Sequence, residues 1–368
     1  MTPRSTPRRG VALAGVLLLV SSFVGLSAVS ASSDVHSGSP ATYTVLVGLS
    51  QPGQGVNVDA YFPDTLKVHV GDTVNFKDNA AEIHTVTFLA PHQTLPDLLA
   101  TFPLLDPAVW RPVVPANHLY DGTSYANSGI MSTDPSFSLP GQQVTSFWLR
   151  FTHVGSYQYF CIVHGVMMTG TINVVDPSAR IPSPGQVRHQ VKKTIAGLLK
   201  QVPAAIDAAR AAIMPPVHNS DGTTTYHVNV GFMYGMIDLM SFFPGKLRVH
   251  PGDTVVWHMT TVPHTITFLN GNPEPSLLVP ATWPPTSGPT VMFNPAILGP
   301  SASVVGGQAL NKTEMFHSGF LPVPDTTFSL TIGNIEGPVP YRCLLHDASG
   351  MVGKLVVDAA HGHDESGH

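Results

Sequence analysis

Leu66-Lys67-Val68-His69-Val70 alternates apolar and polar side chains, Gly71-Asp72 interrupts the run, and Thr73-Val74-Asn75-Phe76 resumes it. A period of two sends successive side chains to opposite faces, so the segment predicts two strands joined by a tight turn, each with one face buried. Thr85-Val86-Thr87-Phe88 and Thr265-Ile266-Thr267-Phe268 alternate in the same way, and Gly170–Val175 and Gly353–Val357 read as closing strands. Short strands punctuated by Gly and Pro predict an all-β sandwich or barrel. One segment breaks the pattern. Val187, Val191, Ile195, Leu198, Leu199 and Val202 recur at helical spacing, with Lys192, Lys193 and Lys200 on the other face. This predicts a short amphipathic helix that docks the domains or covers a sheet edge.

The strand pattern occurs twice. Phe62–Phe76 recurs as Phe243–Trp257 at an offset of 181, Glu82–Phe88 as Val262–Phe268 at 180, and Tyr159–His164 as Tyr341–His346 at 182. Conserved order and spacing over a period this long make a duplicated domain rather than a solenoid. The boundaries expected are 42–176 and 225–358 for the two copies, 177–224 for a linker with the helix, and 359–368 for a His-rich tail. Each copy also carries a long Pro- and Gly-rich insertion, roughly Ala90–Ser138 and Asn270–Thr326. Asn127-Ser128-Gly129-Ile130-Met131 and His317-Ser318-Gly319-Phe320-Leu321 look like counterparts within them. Loops of this length are commonly functional or packed lids.

Composition supports an all-β chain: only 11% of the 368 residues are charged, with 34 Pro and 33 Gly. Residues 1–31 read as a signal peptide, with Arg4, Arg8 and Arg9 before the apolar run Val11–Leu26 and small residues near Ala31. An uncleaved membrane anchor is the competing reading. The leader holds no Asp or Glu, so without its three Arg the 18 basic residues fall to 15 against 23 acidic ones, a net of −8. A mildly acidic, Lys-poor body speaks against a nucleic-acid partner. An exported location in the cell envelope or outside it follows from the leader, and contact with the membrane only if the leader stays. The oligomeric state is open at this level.

Two cysteines in an exported chain would by default form a disulfide. Cys161 and Cys343, however, sit in equivalent places of the two copies. Cys343-Leu344-Leu345-His346-Asp347-Ala348-Ser349-Gly350-Met351 is a C-x2-H-x4-M loop running into a strand, with His264 placed 79 residues upstream. Cys161-Ile162-Val163-His164-Gly165-Val166-Met167-Met168 is its shorter counterpart, with His84 placed 77 residues upstream. Two imidazoles, a thiolate and a weak thioether form a set between the preferences of Cu(I) and Cu(II), which lets the metal exchange one electron with little rearrangement. The candidate ligands are therefore His84, Cys161, His164 and Met168, and His264, Cys343, His346 and Met351, for two type 1 (blue) copper sites. Met167 competes with Met168, whose register with Met351-Val352-Gly353 favours it.

The second loop resembles that of plastocyanin down to its Met-Val-Gly-Lys exit, and the shorter first loop resembles the amicyanin branch of the cupredoxins. The resemblance covers about 42–176 and 225–358. It implies Greek-key β-sandwiches and places His164 and His346 near the surface as electron entry or exit points. Thr85 and Thr265 stand where the family often has Asn, which alters the hydrogen bonding around the site. His69 and His250 are expected to face solvent from their strands, and His118, His153 and His317 to lie in loops. The tail from His361 to His368 is a candidate for weak Cu(II) or Zn(II) binding.

Two-domain copper enzymes such as nitrite reductases and laccases need further histidines, as His-x-His pairs or beside the thiolate Cys. Phe160 and Arg342 precede the cysteines, and the sole His-x-His is His361-Gly362-His363. No place for nitrite or dioxygen is evident, so an electron carrier with redox protein partners in the envelope is expected rather than an enzyme. A copper-handling protein without a dedicated redox partner is the alternative.

Overall fold

The computed structural model describes residues 39–51, 53–97, 100–138, 142–261, 263–282, 289–301 and 310–359. The leader, Leu98-Leu99 and the histidines of the tail lie outside the described residues. In the first repeat, the strands Thr42–Gln51, Val56–Phe62, Thr73–Asp78 and Ser146–Phe151 make up most of one sheet. A second sheet is built from Thr65–His69, Gly165–Val175, Gly155–Cys161, Thr87–Phe88 and Ala126–Asn127. The alternation seen in the sequence is what closes the sandwich. Val45, Val74 and Phe76 of one sheet and Leu66, Ile172 and Val174 of the other meet in a single core. Each such side chain contributes about 1.5–3 kcal/mol when taken fully out of water.

The second repeat repeats the plan. Thr224–Val230 pairs in parallel with Thr254–Met259, as Thr42–Gln51 does with Thr73–Asp78. Its other sheet runs Lys246–Val249, Val352–Val357, Gly337–Arg342, Thr267–Phe268 and Phe316–His317. The insertion counterparts are also equivalent in space. Asn127 pairs with Thr87, and His317 with Thr267. Ser128 and Ser318 each accept a hydrogen bond from the strand, from Val86 N–H and Ile266 N–H, through the side-chain oxygen. His317 thus lies buried in a short strand and not in a loop.

The two repeats keep separate cores, and each lends side chains to the other's. The hairpin Met233–Tyr234/Ile237–Leu239 of the second repeat adds to the edge strand Val56–Phe62 of the first, giving a seven-stranded sheet. Ile237, Leu239 and Phe243 pack in the first core, while Ile83, Leu105, Trp110 and Phe137 of the first repeat pack in the second. The first insertion completes the junction: Leu105 N–H donates to Val291 C=O, and Phe102 stacks against Phe320 at 5.5 Å.

Between the repeats stand two helices where the sequence pattern indicated one. Pro184–Leu199 begins at a capping box in which Ser183 and Gln186 bond reciprocally. Val202–Ala211 follows after Lys200 and Gln201, with Pro203 in its first turn. Val187, Val191, Val202, Ala205 and Ala209 all bury in the first core. The second helix is Ala-rich and sided, with Ala205 and Ala209 buried while Asp207 and Arg210 face solvent. His69 also departs from expectation. It is only 5% exposed, because the chain leaving the closing strand passes over it and Ala179 C=O lies 2.8 Å from its Nε2. Among the described residues no helix is long and apolar enough to cross a membrane.

Candidate metal centres

Each repeat brings one thiol and two imidazoles together at one end of its sandwich. In the first, Cys161 ends the strand Gly155–Cys161, and its Sγ lies 3.4 Å from His164 Nδ1 and 4.0 Å from His84 Nδ1. In the second, Cys343 Sγ lies 3.4 Å from His346 Nδ1 and 3.8 Å from His264 Nδ1, and the two Nδ1 atoms are 3.1 Å apart. In both clusters the donor atoms fall within 4.8 Å of one another. Both cysteines are free and buried, so the disulfide alternative is absent. Met168 and Met351 are buried in their cores, whereas Met167 is 87% exposed.

Backbone geometry holds the first ligand of each set. His84 exchanges both backbone hydrogen bonds with Met131, and His264 does so with Leu321. The Thr85 and Thr265 N–H groups point at the sulfurs, 3.3 and 3.4 Å away. Their hydroxyls accept from Ile162 N–H and Leu344 N–H at 2.8 Å, tying the first-ligand strand to the Cys loop. Threonine therefore acts across the site as an acceptor from the backbone.

Two glycines escaped the sequence reading. Gly48 (φ +66°) and Gly231 (φ +75°) lie over the first-ligand imidazoles, and a Cβ on Gly48 would clash with His84 Nε2. Only glycine combines that left-handed backbone with such close approach. The visible signal is a further repeat, Val47-Gly48-Leu49 against Val230-Gly231-Phe232. The two rings differ beyond that. His264 Nε2 lies 3.0 Å from Thr261 Oγ1, while His84 Nε2 is buried with no hydrogen-bond partner, 4.0 Å from Asp59 Oδ1.

The expectation that both downstream histidines reach the surface holds only in part. His164 has a side chain one-fifth exposed, with Nε2 3.7 Å from Asp59 Oδ2. His346 is 3% exposed, because the first repeat covers it. Glu82 of that repeat, itself 6% exposed, places Oε2 2.9 Å from His346 Nε2. With His346 protonated and Glu82 ionised, the contact is an ion pair. The loop around it is fixed across the junction, since Gly55 N–H donates to Ser349 C=O and Gly350 packs on the Gly53 backbone.

The electrostatics follow from these contacts. Burial alone would push the Cys161 thiol up, but His164 and His84 outweigh it and hold it at about 5. Burial likewise opposes ionisation of Cys343, and His346 and His264 bring it to about 5. Burial would lower His164 and His346; Asp59 with the thiol raises His164 to about 10, and Glu82 with the thiol holds His346 well above its usual range. Asp238 is pushed up to about 7 by burial, with Asp59 adding to the rise. A thiolate beside two imidazoles, one of which must give up its proton as a metal binds, is a set that suits copper and is already gathered in a buried pocket. Two such clusters make two copper sites per chain.

Residues 53–175 match the family model of copper binding proteins of the plastocyanin/azurin family. No curated protein matches. Among solved structures, the oxidised plastocyanin of the fern Dryopteris crassirhizoma is 20% identical, covering 36% of this chain and 99% of its own, with a TM-score of 0.22. A Cu(I) methionine variant of amicyanin is 20% identical over 36% of this chain and 82% of its own, with a TM-score of 0.22. The family model thus falls on the first repeat. With the same ligand geometry rebuilt on equivalent strands of the second, the chain is a tandem of two cupredoxin-type domains.

Proposed function

We propose that the protein is an exported electron-transfer protein with two type 1 copper centres that are coupled to each other inside the chain. When bound, each copper supplies a one-electron couple. The observation that carries the reading is the Glu82–His346 contact. Glu82 is two residues from His84, so a ligand of one centre touches the chain segment that holds a ligand of the other. Such a short covalent and ionic route suits electron passage between centres.

In this reading residues 42–176 and 225–358 are Greek-key domains with Met168 and Met351 as axial ligands, and the protein is a carrier rather than an enzyme. His164 is the port to redox protein partners in the envelope, because Val166 and Met167 beside it are 77% and 87% exposed and form an apolar rim. The leader supports export. The test is to purify the mature chain, count copper, and record visible and electron-spin spectra for the wild type and for Cys161→Ser and Cys343→Ser. Two coppers with thiolate charge-transfer colour are expected, one lost with each Cys. A third copper of ordinary spectrum, or no colour, would overturn the reading.

A further inference from the structure

Nothing in the sequence marked a place for a small molecule, yet a cavity of about 850 Å³ lies at the junction of the repeats. That volume is within the range of sites for small organic ligands, which are mostly apolar with a few placed polar groups. Its walls come from both repeats. Phe137 and Ile162 of the first and Phe293, Phe320 and Leu345 of the second supply apolar and aromatic surface. Four carboxylates, Asp59, Glu82, Asp97 and Asp238, also line it, and no lysine or arginine is among the described lining residues. The imidazoles of His164 and His346 complete the lining.

Three of these carboxylates differ in how they are satisfied. Asp59 accepts from Asn57 Nδ2 at 2.6 Å and faces His164. Glu82 accepts from Ile83 N–H and faces His346. Asp238 is left over. It is 94% buried by its 6% exposure, and its Oδ1 has no hydrogen-bond partner. A buried carboxylate oxygen without a donor is costly, and a donor group entering the cavity that Asp238 lines would remove that cost. The hairpin Met233–Leu239 that carries Asp238 is held in register on Val56–Phe62, so this placement is built into the joint between the repeats.

We infer that the cavity binds a small organic cation, an ammonium group carried on an aromatic or otherwise apolar body. The ammonium donates to Asp238 and the apolar body lies among Phe137, Phe293 and Phe320, whose ring faces also attract a cation. A bare metal ion explains the carboxylates but leaves most of the volume and its aromatic walls unused. The exposed thioethers of Met167, Met233 and Met236 line the same cavity and give it an adaptable apolar border.

The site stands on the protein's own residues and not on its redox role, so the test reads binding. Titrate the copper-loaded mature chain calorimetrically with 2-phenylethylammonium, and with 2-phenylethanol as its uncharged counterpart. Saturable binding of the ammonium, weaker by about tenfold or more for the alcohol, is expected. Asp238→Asn, which keeps size and shape, should lose a similar factor while retaining both coppers. The comparison of the two probes on the wild type decides even if that variant fails to fold. Equal affinity for both probes, no saturable binding, or unchanged affinity in a folded Asp238→Asn chain would overturn the inference. Binding of magnesium or calcium abolished by Asp238→Asn, with none of the ammonium, would overturn it in favour of an inorganic ion site. Failure of these titrations with two intact blue centres would leave the electron-transfer reading standing.

Discussion

Glu82 and His346, 264 residues apart in sequence, stand 2.9 Å apart in the interior, carboxylate Oε2 against imidazole Nε2. Glu82 lies beside the first centre's ligand strand, and His346 is a ligand candidate of the second, so one ionic contact belongs to both. A negative charge at a ligand's outer nitrogen favours the more positive state of the centre. Glu82→Gln keeps the shape and removes the charge. It is expected to leave both coppers bound and to raise the potential of the second centre by tens of millivolts, with a smaller change at the first. Redox titrations that follow each centre in the background of the other's Cys→Ser variant measure this; equal shifts at both centres would contradict the assignment of Glu82 to His346.

Gly48 gives a prediction about one centre alone. Its φ of +66° and its contact with His84 leave no room for a methyl group, since an added Cβ would fall 2.3 Å from Nε2. Gly48→Ala should displace the ring, cost on the order of 1–3 kcal/mol of stability, and remove the first copper while sparing the second. Gly231→Ala should do the reverse, because its Cβ meets Thr261 and His264. Copper counting and thermal unfolding of both variants check the pair.

How much of this was legible beforehand depends on whether a feature repeats. The ligand sets, the strands around them and the insertion counterparts occur twice at nearly constant offset, and the doubling made them stand out. Glu82 does not repeat, since Val262 occupies its place in the second copy. That single polar-for-apolar exchange was its only trace, and its partner is too far along the chain for any spacing rule. Burial of His346 and of Asp238 arises from packing one repeat on the other, which no periodicity within a repeat encodes. The helix Val202–Ala211 is sided, with Ala205 and Ala209 buried and Asp207 and Arg210 exposed, but Pro203 at its start separates it from the helix before it, so the pattern read as one helix ends at Val202. His69 was misplaced because the segment covering it is irregular chain around Ala179.

The neighbouring methionines of the first loop offer a direct comparison. Met168 is 1% exposed and Met167 87% exposed on the same strand. Met168→Gln is expected to change the visible and electron-spin spectra of the first centre, because amide oxygen replaces a weak thioether. Met167→Gln should leave those spectra unchanged and slow electron exchange with outside redox proteins. A spectral change confined to Met167→Gln would reverse the axial assignment.

Removal of copper exposes the proton chemistry of the ligand sets. In the metal-free chain both thiols are held at about 5, against an ordinary value of 9.0, because the imidazoles outweigh the effect of burial. A depressed value means the folded state favours the thiolate. Its contribution to stability is complete above the unfolded value, declines as pH falls below 9.0, and is gone once pH passes through about 5. The His164 imidazolium works in the opposite sense. Raised to about 10, it adds stability that is complete below its unfolded value of 6.5 and lost as pH rises through 10. The thiolate–imidazolium pair therefore persists between about 5 and about 10 in the first site. Ultraviolet thiolate absorbance of the metal-free chain should thus remain at pH 7 and disappear near 5, while the unfolded chain shows it only near 9.0. Copper uptake should weaken over the same acid limb, because each centre must then displace a proton from sulfur before it can bind. A metal-free chain whose thiols titrate near 9.0 would show that the imidazoles do not prepare the sulfurs for metal.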